Sequence, residues 1–188
     1  MIEVSTETIQ RVEMLLAGVP NGTERALANA INRGSSRLKT GASKKVREVY
    51  AIQSSAINGS TNTKIQKAST RNLAGFISFA GYKIPLYKFK VTPKAPNSKR
   101  KVVAAVKKGG GTTFEEAFVA ELKSGHVGIF ERKTSKRFPI EEKMGLAMAQ
   151  MVRNKDIVSS LEKEAQETVN QRIEHEIDRL LNGYGGRV

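Results

Sequence analysis

The chain has 188 residues, no cysteine and no tryptophan, with 39% hydrophobic and 6% aromatic residues and a formal net charge of +14. A chain of this length suits one domain that buries roughly 70% of its unfolded surface. The missing cysteines exclude a disulfide framework and thiolate metal sites and fit a reducing compartment, and no run approaches the ~18 apolar residues of a membrane span.

The opening MIEVSTETIQ lacks a basic stretch followed by an apolar one, so no secretory signal is expected. Residues 6–17 read as a short helix, with Ile9, Val12, Leu15 and Leu16 on one face. Gly18 and Pro20 end it. Asn21, with Glu24 three residues on, reads as the cap of a longer helix marked by Leu27, Ala30, Ile31, Leu38, Val46 and Val49. Gly34 and Gly41 fall inside that pattern and predict a kink, or a break near Thr40. Residues 54–62 (SSAINGSTN) read as loop. Strand patterns follow at 64–69, 72–80 and 86–92, the last with Tyr87, Phe89 and Val91 on one face and Lys88 and Lys90 on the other. After the polar tip PKAPNSKR, residues 101–106 read as the returning strand of a basic hairpin. Gly109, Gly110 and Gly111 make a turn, and 114–122 and 126–131 are further strands. Residues 140–152 read as helix. The final helix starts at Asp156 or Ser159 and carries Ile157, Leu161, Ala165, Val169, Ile173, Ile177 and Leu181 at four-residue spacing, widened by Val158 and Leu180. Gly183 and the Gly185-Gly186 pair read as a loose tail.

Helices at both ends of a run of strands predict an α+β fold. The expectation is one domain over 1–188, with helices at 6–50, an antiparallel sheet of about five strands at 63–132, and helices at 140–182 packed on that sheet.

Charge is unevenly distributed. Between Val49 and Phe114 there is no acidic residue and there are twelve basic ones, whereas Asp156 to Asp178 holds seven carboxylates. Such segregation suits self-association, anionic partners, or both.

Catalytic patterns are sparse. Of the two histidines, His175 lies among Glu174, Glu176 and Asp178 on a helix, where the i, i+3 pair with Asp178 reads better as a solvated face than as a metal site. Glu115/Glu116 and Glu141/Glu142 are adjacent pairs, which on a strand point to opposite faces. The KKGGGTT segment lacks the spacing of a phosphate loop, and its lysines precede its glycines. No nucleophile motif occurs, so neither a catalytic site, a metal nor a cofactor is expected.

The basic hairpin carries Lys83, Lys88, Lys90, Lys94, Lys99, Arg100, Lys101, Lys107 and Lys108, with Tyr82, Tyr87 and Phe89. It could face phosphates without reading sequence. Equally, lysines on an edge hairpin discourage edge-to-edge aggregation.

Three strings resemble a known family. In 72–94 the run Ile84, Pro85, Leu86, Phe89, Val91 and Pro93 is similar to a stretch of the prophage minor tail protein Z family. So are Phe118, Ala120, Ser124, Gly125, His126, Gly128, Phe130 and Arg132 in FVAELKSGHVGIFERK, and the segment FPIEEKMGLAMAQMV at 138–152. The helical stretch ALANAINRGSSRLKT at 26–40 also fits. Leu146 stands where the family usually has proline. The resemblance implies a non-catalytic tail-completion protein at the head-proximal end of a phage tail, in the virion tail and, during assembly, the host cytoplasm. It implies ring self-assembly around the DNA channel, contacts with other tail or connector proteins, DNA met without sequence preference, and no membrane. The alternative from the residues alone is a sequence-indifferent nucleic-acid-binding protein. The resemblance further implies structural roles for Pro85, Leu86, Phe89, Pro93, Gly125, His126, Gly128 and Phe130.

Overall fold

The computed structural model describes residues 3–183; the Gly185-Gly186 pair lies outside them. In chain order the elements are α1 (Thr6–Leu15), α2 (Gly22–Val49), α3 (Ser54–Ser60), β1 (Thr61–Gln66), β2 (Phe76–Gly81), a 3-10 turn at Leu86–Lys88, β3 (Lys90–Thr92), β4 (Val102–Ala105), β5 (Thr112–Phe114), β6 (Ala117–Glu121), β7 (Val127–Arg132), β8 (Ile140–Glu142), α4 (Met148–Val152) and α5 (Lys155–Leu181). The fold is α+β. The single sheet of about five strands is replaced by three small antiparallel sheets, ordered β1-β2, β3-β4-β5 and β6-β7-β8. Among the described residues no helix is long and apolar enough to cross a membrane.

The chain divides into two compact units. One comprises residues up to Ala42, Thr63–Ser78, and the chain from Lys155 onward; the other comprises Ser43–Asn62 and Phe79–Asn154.

In the first unit, α1 is capped by Ser5, whose side chain accepts from the Thr8 amide. Val12 and Leu16 are buried with Ala26, Leu27, Ala30, Val169, Ile173, Ile177 and Leu180 in one apolar cluster. Leu15, expected on the buried face, is exposed. Asn21 has a φ of 50°, outside the extended region a capping residue uses, so the expected capping box is absent there. Across α2 and α5, Asn29 meets Glu176, Gly34 meets Val169, Arg37 meets Glu164 and Gly41 meets Leu161. The two helices therefore run antiparallel.

α2 runs unbroken through both glycines, so the break considered near Thr40 does not occur. A Cβ on Gly34 would lie 2.6 Å from Val169 Cγ2, so the glycine is the space into which α5 packs. The four-residue stripe on α5 drifts by about 40° per step around a helix of 3.6 residues per turn. Ile157 through Ile177 are buried, but by the last step the drift has carried Leu181 into solvent, and Leu180 takes the buried place. Gly183, at φ +73°, follows the helix in the left-handed conformation that favours glycine.

One carboxylate is fully buried. Glu176 Oε2 accepts from Asn29 Nδ2 (3.0 Å) and from Arg179 Nε and Nη2 (3.0 and 2.6 Å), and Arg172 Nη2 lies 2.5 Å from Oε1. Burial pushes this carboxyl up, but the Asn29 amide and the two guanidiniums outweigh it and hold the group below its ordinary value.

The second unit departs further from expectation. Residues 54–60 form α3 rather than loop. Residues 86–88 wind into a 3-10 turn before β3. The 114–122 strand is split between β5 and β6 at Glu115-Glu116. The helix expected over 140–152 survives only as α4. Its first part pairs with β7 as β8, because Phe130, Glu131 and Arg132 offer their free edge to Glu142, Glu141 and Ile140. The basic hairpin forms as expected, with Lys90 opposite Ala105 and Thr92 opposite Val103.

Two outcomes are expected. Gly34→Ala overpacks a β-branched, buried neighbour at a cost of about 1–3 kcal/mol, which exceeds the roughly 1 kcal/mol gained in helix propensity. Gly41→Ala meets only the terminal methyl of Leu161, at 3.0 Å. In thermal melts the Gly41 variant should therefore unfold at the higher temperature of the two. Arg179→Ala leaves Glu176 buried and under-compensated, at about 3 kcal/mol. A carboxyl held low when folded adds stability that is present above its unfolded value and lost as pH falls through its folded value. Removing Arg179 raises that folded value, so acid unfolding monitored by circular dichroism should begin at higher pH.

Candidate functional site

The three motif strings converge in the second unit, where the backbone stitches them together. Residues 84–86 run against 143–146: Ile84 N donates to Leu146 O (3.4 Å), Gly145 N to Ile84 O (2.7 Å) and Leu86 N to Lys143 O (2.9 Å), with Pro85 bridging Met144. Lys143 N then donates to Ile129 O on β7 at 2.8 Å. Ile84 and Leu86 are buried here. The Phe89 ring, also buried, lies over Gly145, where a Cβ would stand 2.5 Å from Cε2. Peptide bonds preceding Pro93 and Pro139 are cis.

The second string builds the β6-β7 hairpin. Gly125, at φ +78°, makes its turn, and Leu122 N donates to His126 O at 2.8 Å. Phe118 and Phe130 face each other across the strands with ring centroids 6.4 Å apart, and the Arg132 guanidinium lies 4.6 Å over Phe118. His126 Nε2 lies 2.8 Å from Glu142 Oε1, and its ring meets the edge of Phe130. Gly128 makes room for both: a Cβ there would come within 2.6 Å of that same Glu142 oxygen and 3.0 Å of the Phe130 ring. Thus Pro85, Leu86, Phe89, Gly125, His126, Gly128 and Phe130 form a framework in which Gly128 marks a close approach and Gly125 a left-handed turn position.

The basic residues separate into two groups. Beyond α2, Ala51 N donates to Val106 O and Lys108 N to Val49 O, both at 2.9 Å, while Ile52 bridges Phe89. These bonds bring the end of α2 and all of α3 beside the hairpin. An open groove of about 1190 Å³ results, lined by Lys88, Lys90, Lys94 and Lys108 from the predicted set, together with Arg47, Gln53, Ser54, Ser55 and Ser60. No carboxylate lines it. Lys83, Lys99, Arg100 and Lys107 are exposed but do not line the groove, and Lys101 pairs with Glu115. Lys90 also stands on β3, an edge of its sheet, where a lysine hinders pairing with another chain.

Sequence reasoning missed Arg47 and the α3 hydroxyls. Arg47 sits two residues before the acid-free window opens, and the 54–60 segment carries only small polar side chains. The Asn97 amide donates to Val119 O at 3.0 Å, which fastens the hairpin tip to β6.

If space rather than the His126–Glu142 hydrogen bond holds the β7-β8 corner, Gly128→Ala costs about 1–3 kcal/mol. His126→Ala, at a partly exposed pair, costs no more than about 1 kcal/mol. Urea denaturation of the two variants should show that order. Equal losses would assign the corner to the histidine.

No curated protein and no solved structure gives a significant match to the chain. The family model of prophage minor tail protein Z matches residues 12–184, which takes in both units and all three motif strings. On that match, the chain belongs to the prophage minor tail protein Z family.

Proposed function

We propose that this chain is a non-catalytic part of a phage tail that completes the tail at its head-proximal end and closes into a ring around the DNA channel. Membership of the minor tail protein Z family carries the reading.

Association is also supported by large apolar side chains open to solvent. Met14 is 75% exposed, Phe76 61% and Phe138 61%. Phe76 and Leu73 border a mostly apolar hollow of about 730 Å³ in the first unit. Contiguous apolar surface left uncovered, such as that at Leu73 and Phe76, marks contact sites. A ring needs two different faces meeting head to tail, and these side chains are available for such faces. The partners under this reading are further copies of the chain and the neighbouring tail or connector proteins. Nucleic-acid binding as the whole function is a second reading, favoured by the carboxylate-free groove.

Sedimentation velocity across a concentration series, alone and with the neighbouring tail proteins, should reveal a closed species many subunits in size. Phe76→Glu should weaken its formation while leaving the circular dichroism spectrum unchanged. Monomer at every concentration, with and without partners, would remove the ring.

A further inference from the structure

We infer that the groove lined by Arg47, Lys88, Lys90, Lys94 and Lys108 is a track for the backbone phosphates of duplex DNA, engaged by charge and not by base contacts. The inference deepens the channel reading and rests on it for the source of the polyanion.

Convergence is the first observation. The five cations come from three separated stretches: the last turns of α2, residues 88–94, and the turn after β4. A charged edge strand alone would not place Arg47 and Lys108 on the same surface as Lys88. A cleft lined by one sign of charge concentrates its field and attracts counter-charge from solution.

The second observation is what the cations lack. Elsewhere in the same unit, Lys101 pairs with Glu115, Lys133 with Glu141 and Lys143 with Glu131. Among the described residues, none of the five groove cations makes an ion pair. The acid-free stretch from Val49 to Phe114 leaves no carboxylate within it to answer them.

The third observation decides between occupants. The acidic helix of a second copy is the obvious protein alternative. Three of its seven carboxylates have arginine partners at home: Glu164 with Arg37, Glu174 with Arg11, and Glu176, fully buried, with Arg172 and Arg179. An external polyanion suits the groove better.

Aromatic geometry then narrows the nucleic acid. Single-strand binders offer exposed rings on which bases stack. Here Tyr50 and Phe89 are each 3% exposed, and the Tyr87 hydroxyl donates to Lys94 O at 3.1 Å. Among the described residues that line the groove no aromatic ring is fully exposed, Tyr87 being half-buried, while the α3 serines add neutral donors of the kind that position phosphates.

The test uses the full chain, a short fluorescently labelled DNA duplex and anisotropy over a salt series. Five neutralised phosphates give a log–log salt slope of about −4.5. Lys88→Gln/Lys90→Gln/Lys94→Gln should flatten the slope to about −2 and weaken binding near 0.1 M salt on the order of a hundredfold. Lys83→Gln/Lys99→Gln/Arg100→Gln removes the same charge from outside the groove and should leave the slope unchanged. Equal effects from the two triples would reduce the groove to net charge and overturn the inference. It is overturned too if poly-glutamate competes as well as duplex, which would indicate an acidic protein partner, or if single strands bind more tightly than duplex. A chain that binds duplex but never assembles keeps this inference and loses the ring. One that assembles without binding loses this inference alone.

Discussion

The packing of Phe89 over Gly145 is the constraint on which the second unit turns. It requires a glycine, because any Cβ at residue 145 would enter the ring. It also requires 84–86 and 143–146 to lie side by side, which their backbone hydrogen bonds achieve. Phe89 is held inward, while Lys88, in the 3-10 turn, and Lys90, on β3, are exposed. The bridge from Ile52 to the same phenylalanine brings up α3 as the opposite wall. One aromatic ring thus sets both the interior of the unit and the charged surface above it.

Charge is handled differently in the two units. In the first, Glu164 and Glu174 each meet an arginine, and the buried Glu176 is held by Asn29, Arg172 and Arg179. Arginine suits that work because its planar fork can bond a carboxylate oxygen from two directions. In the second, lysines predominate around the groove and stay unmatched. Lysine is a compact, hydrated point charge, suited to a partner that slides or is positioned loosely. Most of the overall charge of +14 therefore falls in the second unit.

Much of this was legible from the residues. The helix periodicities of α1, α2 and α5, the hairpin between β3 and β4, and the turn at Gly125 followed from spacing and turn chemistry. The family strings pointed to the residues of the framework. What stayed hidden depended on contacts distant in sequence. Gly34 and Gly41 look like helix breakers until α5 is laid against them. Residues 140–142 have the apolar spacing of a helix but become a strand because β7 has an edge to fill. Residues 54–60 carry no apolar stripe, and their helix is anchored largely through Ile57, which is buried. For the same reason the groove was only half visible. Its lysines stood in a conspicuous run, but Arg47 joins them only through the pairing of 49–52 with 106–108.

The order of segments along the chain has a consequence for synthesis. The first unit draws on the start of the chain, a short middle piece and its last stretch, whereas most of the second is continuous from Phe79 to Asn154. As the chain emerges from the ribosome, α1 and α2 are complete long before Val169, Ile173, Ile177 and Leu180 exist to cover Val12, Leu16 and Ala26. Contacts of such long sequence separation form late. The apolar faces of the two leading helices therefore wait uncovered while the second unit is translated, the kind of exposure that chaperones exist to shield. Closure of that apolar cluster waits for α5.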